Sequence, residues 1–215
     1  PLPDPAARLA VGLAFGFGLF WLGQLALTPP LGTDSLIYHL PFVAQFHQTG
    51  SLERSFADFF VALPYMPFGG ELVFHWLFAP VGTDFLCRFG QLPFVVFAAL
   101  ALSNLLRLLG VPAGSACVAG CALALARPFF PLQLALNNVD VLVAYFGLAA
   151  IEEALRWRRS GRWGDVALHG LAVGLMFGTK PLGVPLAPVL FALLLLPAPA
   201  LAARPSRLRV LAAAP

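Results

Sequence analysis

Residues 9–27, LAVGLAFGFGLFWLGQLAL, decide which solvent this chain is built for. The run holds nineteen residues with one polar side chain, Gln24, and no charge. At about 1.5 Å per helical residue it is close to the length that crosses a hydrocarbon core of about 30 Å. Thr28-Pro29-Pro30 stops it, because proline has no N–H to give to the helical ladder. The run is long for a signal sequence and has no small-residue cleavage site before Thr28. It reads as a retained membrane helix running outward.

The composition outside this run agrees with it. The chain is 60% hydrophobic and 11% charged, where soluble domains carry roughly 25% charge. An ordinary water-soluble domain is excluded on that ground. The net charge of +3 is unevenly placed. Nine of the thirteen basic residues, Arg107, Arg156, Arg158 and Arg159 among them, fall between alternate apolar runs. Arg54, Arg88, Arg127 and Lys180 fall at the opposite ends. The positive-inside rule assigns the larger group to the cytoplasm. The arginines flank apolar runs without forming a continuous basic face, so nucleic acid is not an expected partner. Cys87, Cys117 and Cys121 sit inside apolar runs with no CxxC pair and read as small core hydrophobes.

Further apolar runs at residues 89–106, 111–126, 139–155, 166–177 and 182–196 alternate with short polar turns. Together with the first they predict an all-α, polytopic transmembrane bundle of about six helices. It forms a single transmembrane domain over residues 1–215. The fifth run is only about twelve residues, short for a span, so Gly164 and Asp165 are expected to extend it. Residues 28–84 form a long first external loop. Residues 34–48 there predict an amphipathic helix with Leu36, Leu40 and Val43 on its apolar face and His39 and His47 at its edges. Pro41 weakens or kinks that helix. Residues 71–78 predict a second, shorter one, and both suit the headgroup plane of a bilayer. The chain opens on Pro1 and closes on Pro215 among apolar residues, and is expected to be the N-terminal part of a longer protein.

Chemistry is most legible in Gly32-Thr33-Asp34-Ser35-Leu36-Ile37-Tyr38-His39-Leu40-Pro41. Asp34 is the first acid after the opening run, at the mouth of a membrane helix, where a carboxylate can accept a proton at the bilayer surface. A helix N-cap is the other reading of Thr33 or Asp34. Asp140 follows Asn137-Asn138-Val139 at the entrance of the fourth run. A carboxylate in lipid costs about 2.5–3.5 kcal/mol, so Asp140 needs a polar cavity or a partner, unless it caps its helix. Lys180, in Gly178-Thr179-Lys180-Pro181, runs against the positive-inside trend. With Arg127 and Arg88 it is a candidate for holding a phosphate, or else a snorkelling lysine on lipid headgroups. His39, His47 and His75 share the external side, but no pair has the i,i+4 spacing of a helical zinc motif. No metal ligand set is assigned. Glu152 and Glu153 are expected to snorkel or to pair with Arg156.

The Asp34-Ser35-Leu36-Ile37-Tyr38-His39-Leu40-Pro41 stretch resembles the first external loop of GT-C superfamily membrane glycosyltransferases. The likeness is to the bacterial dolichyl-phosphate-mannose-protein mannosyltransferase-like enzymes (glycosyltransferase family 39-like), which use polyprenyl-phosphate sugars. It continues through residues 64–71, Asn138-Val139-Asp140 and residues 174–180. The resemblance implies an inverting glycosyltransferase of a bacterial inner membrane, working on its periplasmic or extracellular face. Asp34 would be the catalytic acid of the first loop, acting as general base on the acceptor hydroxyl, with Tyr38 and His39 in support. Asp140 matches the second-loop acid that positions the acceptor or the catalytic groups. The implied donor is a polyprenyl-phosphate-linked sugar, and the acceptor a glycan, lipid or protein, with membrane lipids around both. Relatives often carry two adjacent acids where this chain has Asp34-Ser35, so a divalent metal is not favoured. A transporter or lipid-carrier flippase, with Asp34 and Asp140 lining its path, is the competing class. It predicts acids at mid-depth on several helices, whereas these acids gather at one face.

Overall fold

The computed structural model describes residues 4–30, 32–53, 66–126 and 136–195. Arg54 and Arg127, and Arg204, Arg207 and Arg209, lie outside them. Of the described residues 80% are helical and none is in a strand. The first helix, α1 (Pro5–Leu27), opens on Asp4, whose Oδ1 accepts the Ala6 N–H at 2.9 Å. It closes where the Thr28 N–H reaches Gln24 O at 2.9 Å, ahead of Pro29. A 3₁₀ turn at Leu86–Phe89 leads into α4 (Leu92–Leu108), with α5 (Ala113–Leu125) antiparallel to it. The longest of the later helices is α6 (Asp140–Ser160), followed by α7 (Trp163–Thr179) and α8 (Gly183–Leu195). Two stretches, Pro5–Leu27 and Leu86–Leu108, are long and apolar enough to cross a membrane. Ala113–Leu125 and Gly183–Leu195 are apolar but shorter. Gly164 and Asp165 do lengthen α7, whose start is tied to the end of α6 by the Ser160 hydroxyl donating to Asp165.

The hub is α6, which packs on α7 and α4 and also meets α8. Val143 and Ala150 interdigitate with Val173, Met176 and Leu190 in the main apolar cluster. Fully buried His169 joins α7 to α6 through Nδ1, 2.8 Å from Ala150 O. Near the far end Arg156 reaches Glu152 at 2.5 Å and Glu153 at 3.7 Å, as the i,i+4 and i,i+3 spacings allow. Gly120 lets α5 approach α4: a Cβ there would stand 2.5 Å from Ala99 O.

Two short helices lie over the opposite end of the hub. One is α2 (Leu40–Thr49), which ends on Gly50 at φ 62°; the other is α3 (Gly69–Phe78). They meet through Phe42 and Phe46 with Phe68, and through Val43 with Phe74. The start of α3 is clamped onto the ends of the hub helices. A Cβ on Gly69 would lie 2.6 Å from Gly178 O, and one on Gly70 2.2 Å from Val139 Cγ1. That approach fixes the height of the next residue, Glu71.

Replacing Gly70 by alanine should therefore destabilise the fold by about 1–3 kcal/mol through overpacking. Gly12→Ala, with nothing within 4 Å, should be neutral or slightly stabilising, by up to about 1 kcal/mol. Thermal unfolding of both variants in detergent checks the pair; equal melting points would rule out the clamp.

Candidate functional site

The residues singled out in the first loop open on an unusual helical turn. Ser35–His39 is a π-helix, closed by Leu40 N–H bonding to Ser35 O, and α2 continues from it. Its cause is two residues further on. Pro41 has no N–H for the carbonyl of Ile37, and its ring would clash with that carbonyl in an α-helix. Widening the turn to i→i+5 bonding relieves both problems. The geometric result matters for chemistry. At about 3.6 residues per turn, residues five apart point well away from each other; in the wider turn the fifth residue returns to the same side. Asp34, Tyr38 and His39 thereby line one hollow.

The turn also overturns the expected apolar face. Leu36 and Ile37 are exposed, whereas Ser35 and His39 are buried in line with Val43 and Phe46. The extra residue in the turn shifts the phase of the helix, and the polar side turns inward because it finds a partner there. His39 Nδ1 stands 2.7 Å from Glu71 Oε1, with both side chains nearly inaccessible. The second atoms of the pair, His39 Nε2 and Glu71 Oε2, are buried and carry no hydrogen bond.

The hollow between these helices and the ends of α6, α7 and α8 has a volume of about 450 Å³. Asp34, Tyr38, His39, Glu71 and Lys180 line it, with apolar walls from Phe42, Val139 and Pro185. Lys180 Nζ donates to Asp140 Oδ1 at 2.5 Å, each side chain about one-third exposed. Tyr38 donates its hydroxyl to Asp34 Oδ2 at 3.2 Å. Burial, then the adjacent Asp34 carboxylate and the more distant Glu71 and Asp140, push the Tyr38 phenol well above its ordinary value. A larger, more apolar hollow of about 560 Å³ runs between α1, α4 and α5. Its Ser103 already donates to Ala116 O, and its other potentially reactive side chains are the free thiols of Cys117 and Cys121.

Neither acid acts as a helix cap. Asp34 makes no capping bond and is held by Tyr38; Asp140 lies within the first turn of α6 and is paired with Lys180. Lys180 is thus an ion-pair partner across the two hub helices. Arg88 stands elsewhere: its Nη1 donates to Thr28 O at 2.8 Å and Leu25 O at 3.4 Å, binding the last carbonyls of α1. Its guanidinium also lies over the Phe85 ring and 3.9 Å from Asp84. Arg127 is not among the described residues. Among those residues no group of three or more metal-ligating side chains comes together; the His47 and His75 rings are 6.3 Å apart. Sequence reasoning missed Glu71. The available signal was a lone acid between Gly69-Gly70 and an apolar helix, which burial obliges to find a partner.

Compared with known proteins, the chain matches no family model, no curated protein and no solved structure.

The raised Tyr38 phenol has a testable sign. Its neutral form is the one that fits, so its contribution to stability is complete below the unfolded value of about 10. That contribution is lost only as pH rises toward the higher folded value. In an absorbance titration of the phenolate band, wild type and Tyr38→Phe should coincide through pH 10. An additional step in wild type near pH 10 would contradict the burial of the phenol and its acidic surroundings.

Proposed function

We propose that the chain is a GT-C-type membrane glycosyltransferase that moves a sugar from a polyprenyl-phosphate carrier to an acceptor hydroxyl. The observation that carries this reading is the convergence of Asp34, Tyr38, His39 and Lys180 on one hollow of about 450 Å³. In this reading α1, α4, α5, α6, α7 and α8 are six spans of a bacterial inner membrane. The α2–α3 layer rests on its outer face. Exposed Trp76 on α3 suits one boundary, and Trp163, in tilted ring contact with Trp157 beside Arg156, suits the other. The bundle turns leucine and phenylalanine outward, as along α1, and keeps Glu71, Glu152 and His169 inside. That polarity favours lipid as solvent.

Transfer requires the acceptor oxygen to lose a proton as it attacks the anomeric carbon. Asp34 is exposed at the rim of the hollow, so it can take that proton and release it to water. The neutral Tyr38 hydroxyl orients the carboxylate from one oxygen and leaves the other for the acceptor. Lys180 has three donors, one of them used by Asp140, and two remain for an anionic oxygen. Attack opposite to the departing phosphate inverts the anomeric centre.

The full chain, in membranes, should release sugar from one of a panel of polyprenyl-phosphate sugars. Asp34→Asn should lower turnover by about 10²–10⁴-fold at unchanged protein level, the range for a lost general base. Equal turnover in the two proteins would remove Asp34 from the chemistry. Substrate uptake into vesicles without sugar release would favour transport.

A further inference from the structure

We infer that the buried His39–Glu71 pair, beside Lys180, is the seat of an anionic phosphoryl oxygen: His39 offers its Nε2–H to the phosphate of a polyprenyl monophosphate. The inference rests on the glycosyltransferase reading and names the part of that site which holds the leaving group. Its basis is a buried pair whose polar capacity is half used. Nδ1 and Oε1 satisfy each other at 2.7 Å, while Nε2 is buried without a partner on a side chain that lines the hollow. A buried polar group left unmatched is costly, and the cost is recovered when a ligand supplies the match.

Which match it needs follows from the proton count. With Glu71 ionised and the imidazole carrying both protons, Nδ1–H donates to Glu71 and Nε2–H is left as a charged donor. A neutral ring with its proton on Nδ1 leaves Nε2 a bare acceptor, which repels phosphate. The charged groups around His39 are Asp34, on the turn that also carries the Tyr38 hydroxyl, Glu71 on α3, and the Lys180–Asp140 pair at the ends of α7 and α6. Glu71 is partnered by His39 and Asp140 by Lys180. Asp34 stays free at the rim to receive the acceptor. Phosphate oxygens therefore fit against His39 and Lys180, with the acceptor at Asp34 on the rim of the same hollow.

The arrangement divides the work of transfer. A bond forms between acceptor oxygen and anomeric carbon, and the acceptor's proton goes to Asp34. The bond from anomeric carbon to phosphate oxygen breaks, and its electron pair remains on that oxygen. The Nε2–H of His39 donates a hydrogen bond to the charge that develops there. Atoms and charge balance without another reactant.

The test is binding, read apart from turnover. The full chain in phosphate-free maltoside micelles is titrated calorimetrically with farnesyl phosphate and, separately, with inorganic phosphate. His39→Gln and the near-isosteric Glu71→Gln should each bind farnesyl phosphate about ten-fold more weakly than wild type, or worse. Melting and elution profiles identify variants that fold, and Glu71→Gln carries the comparison if His39→Gln does not. Equal binding by wild type and the folded variants overturns the role of the pair. Inorganic phosphate binding as tightly as farnesyl phosphate overturns the lipid half of the proposal. A wild type that binds no farnesyl phosphate defeats the underlying lipid-phosphate reading instead.

Discussion

A buried imidazole set against a buried carboxylate is the contact on which the rest of the site depends. Neither group tolerates burial alone, and each supplies what the other lacks across 2.7 Å. The contact spans thirty-two residues of sequence and joins the turn that opens α2 to the start of α3. Each side is held independently. Pro41 forbids an α-turn on one side, and Gly69 and Gly70 press α3 against the ends of α6 and α7 on the other. The pair is therefore braced from both directions. Asp34 and Tyr38, carried on the same turn, inherit that placement.

Much of the scaffold is legible in the residues, because apolar runs and proline or glycine stops are local signals. The stop at Thr28-Pro29-Pro30 ends α1 where expected, and the short fifth run does take up Gly164 and Asp165. The kink expected at Pro41 is present, but its form as a π-turn is not written in a 3.6-residue pattern. That one extra residue turned Leu36 and Ile37 outward and His39 inward. Glu71 was hidden for a different reason. Its role comes from a partner on another element, and no local spacing reports a contact between residues 39 and 71. Arg88 shows the converse: its position near a helix end looked suited to phosphate, yet the unpaired carbonyls of Leu25 and Thr28 claim it. Free helix carbonyls attract a guanidinium as an anion does.

The Lys180–Asp140 pair gives the same lesson about distance in the opposite sense. The two residues are forty apart, but both sit where a hub helix meets its loop. Antiparallel helices of similar length return their ends to one level, so α6 beginning at Asp140 and α7 ending at Thr179 bring the two side chains together. Topology alone makes that contact available. The same return places the α7–α8 turn under the first loop, and so a cation on the hollow that His39 and Glu71 also line.

The placement of ionisable groups also separates surface chemistry from passage through the bundle. A permeation path needs polar groups spaced through the depth of the helices so that an ion or solute always has a next partner. Here Asp34, Glu71, Asp140 and Lys180 occupy one end, and Glu152, Glu153 and Arg156 pair among themselves toward the other. Between them His169 is the buried ionisable group of α7, and its Nδ1 is committed to the carbonyl of Ala150. The apolar cluster of Val143, Val173 and Met176 packs α6 against α7 around it. A stepwise polar route would have to cross that packing. This layout supports the proposed reaction at the face of the bundle over transport through it.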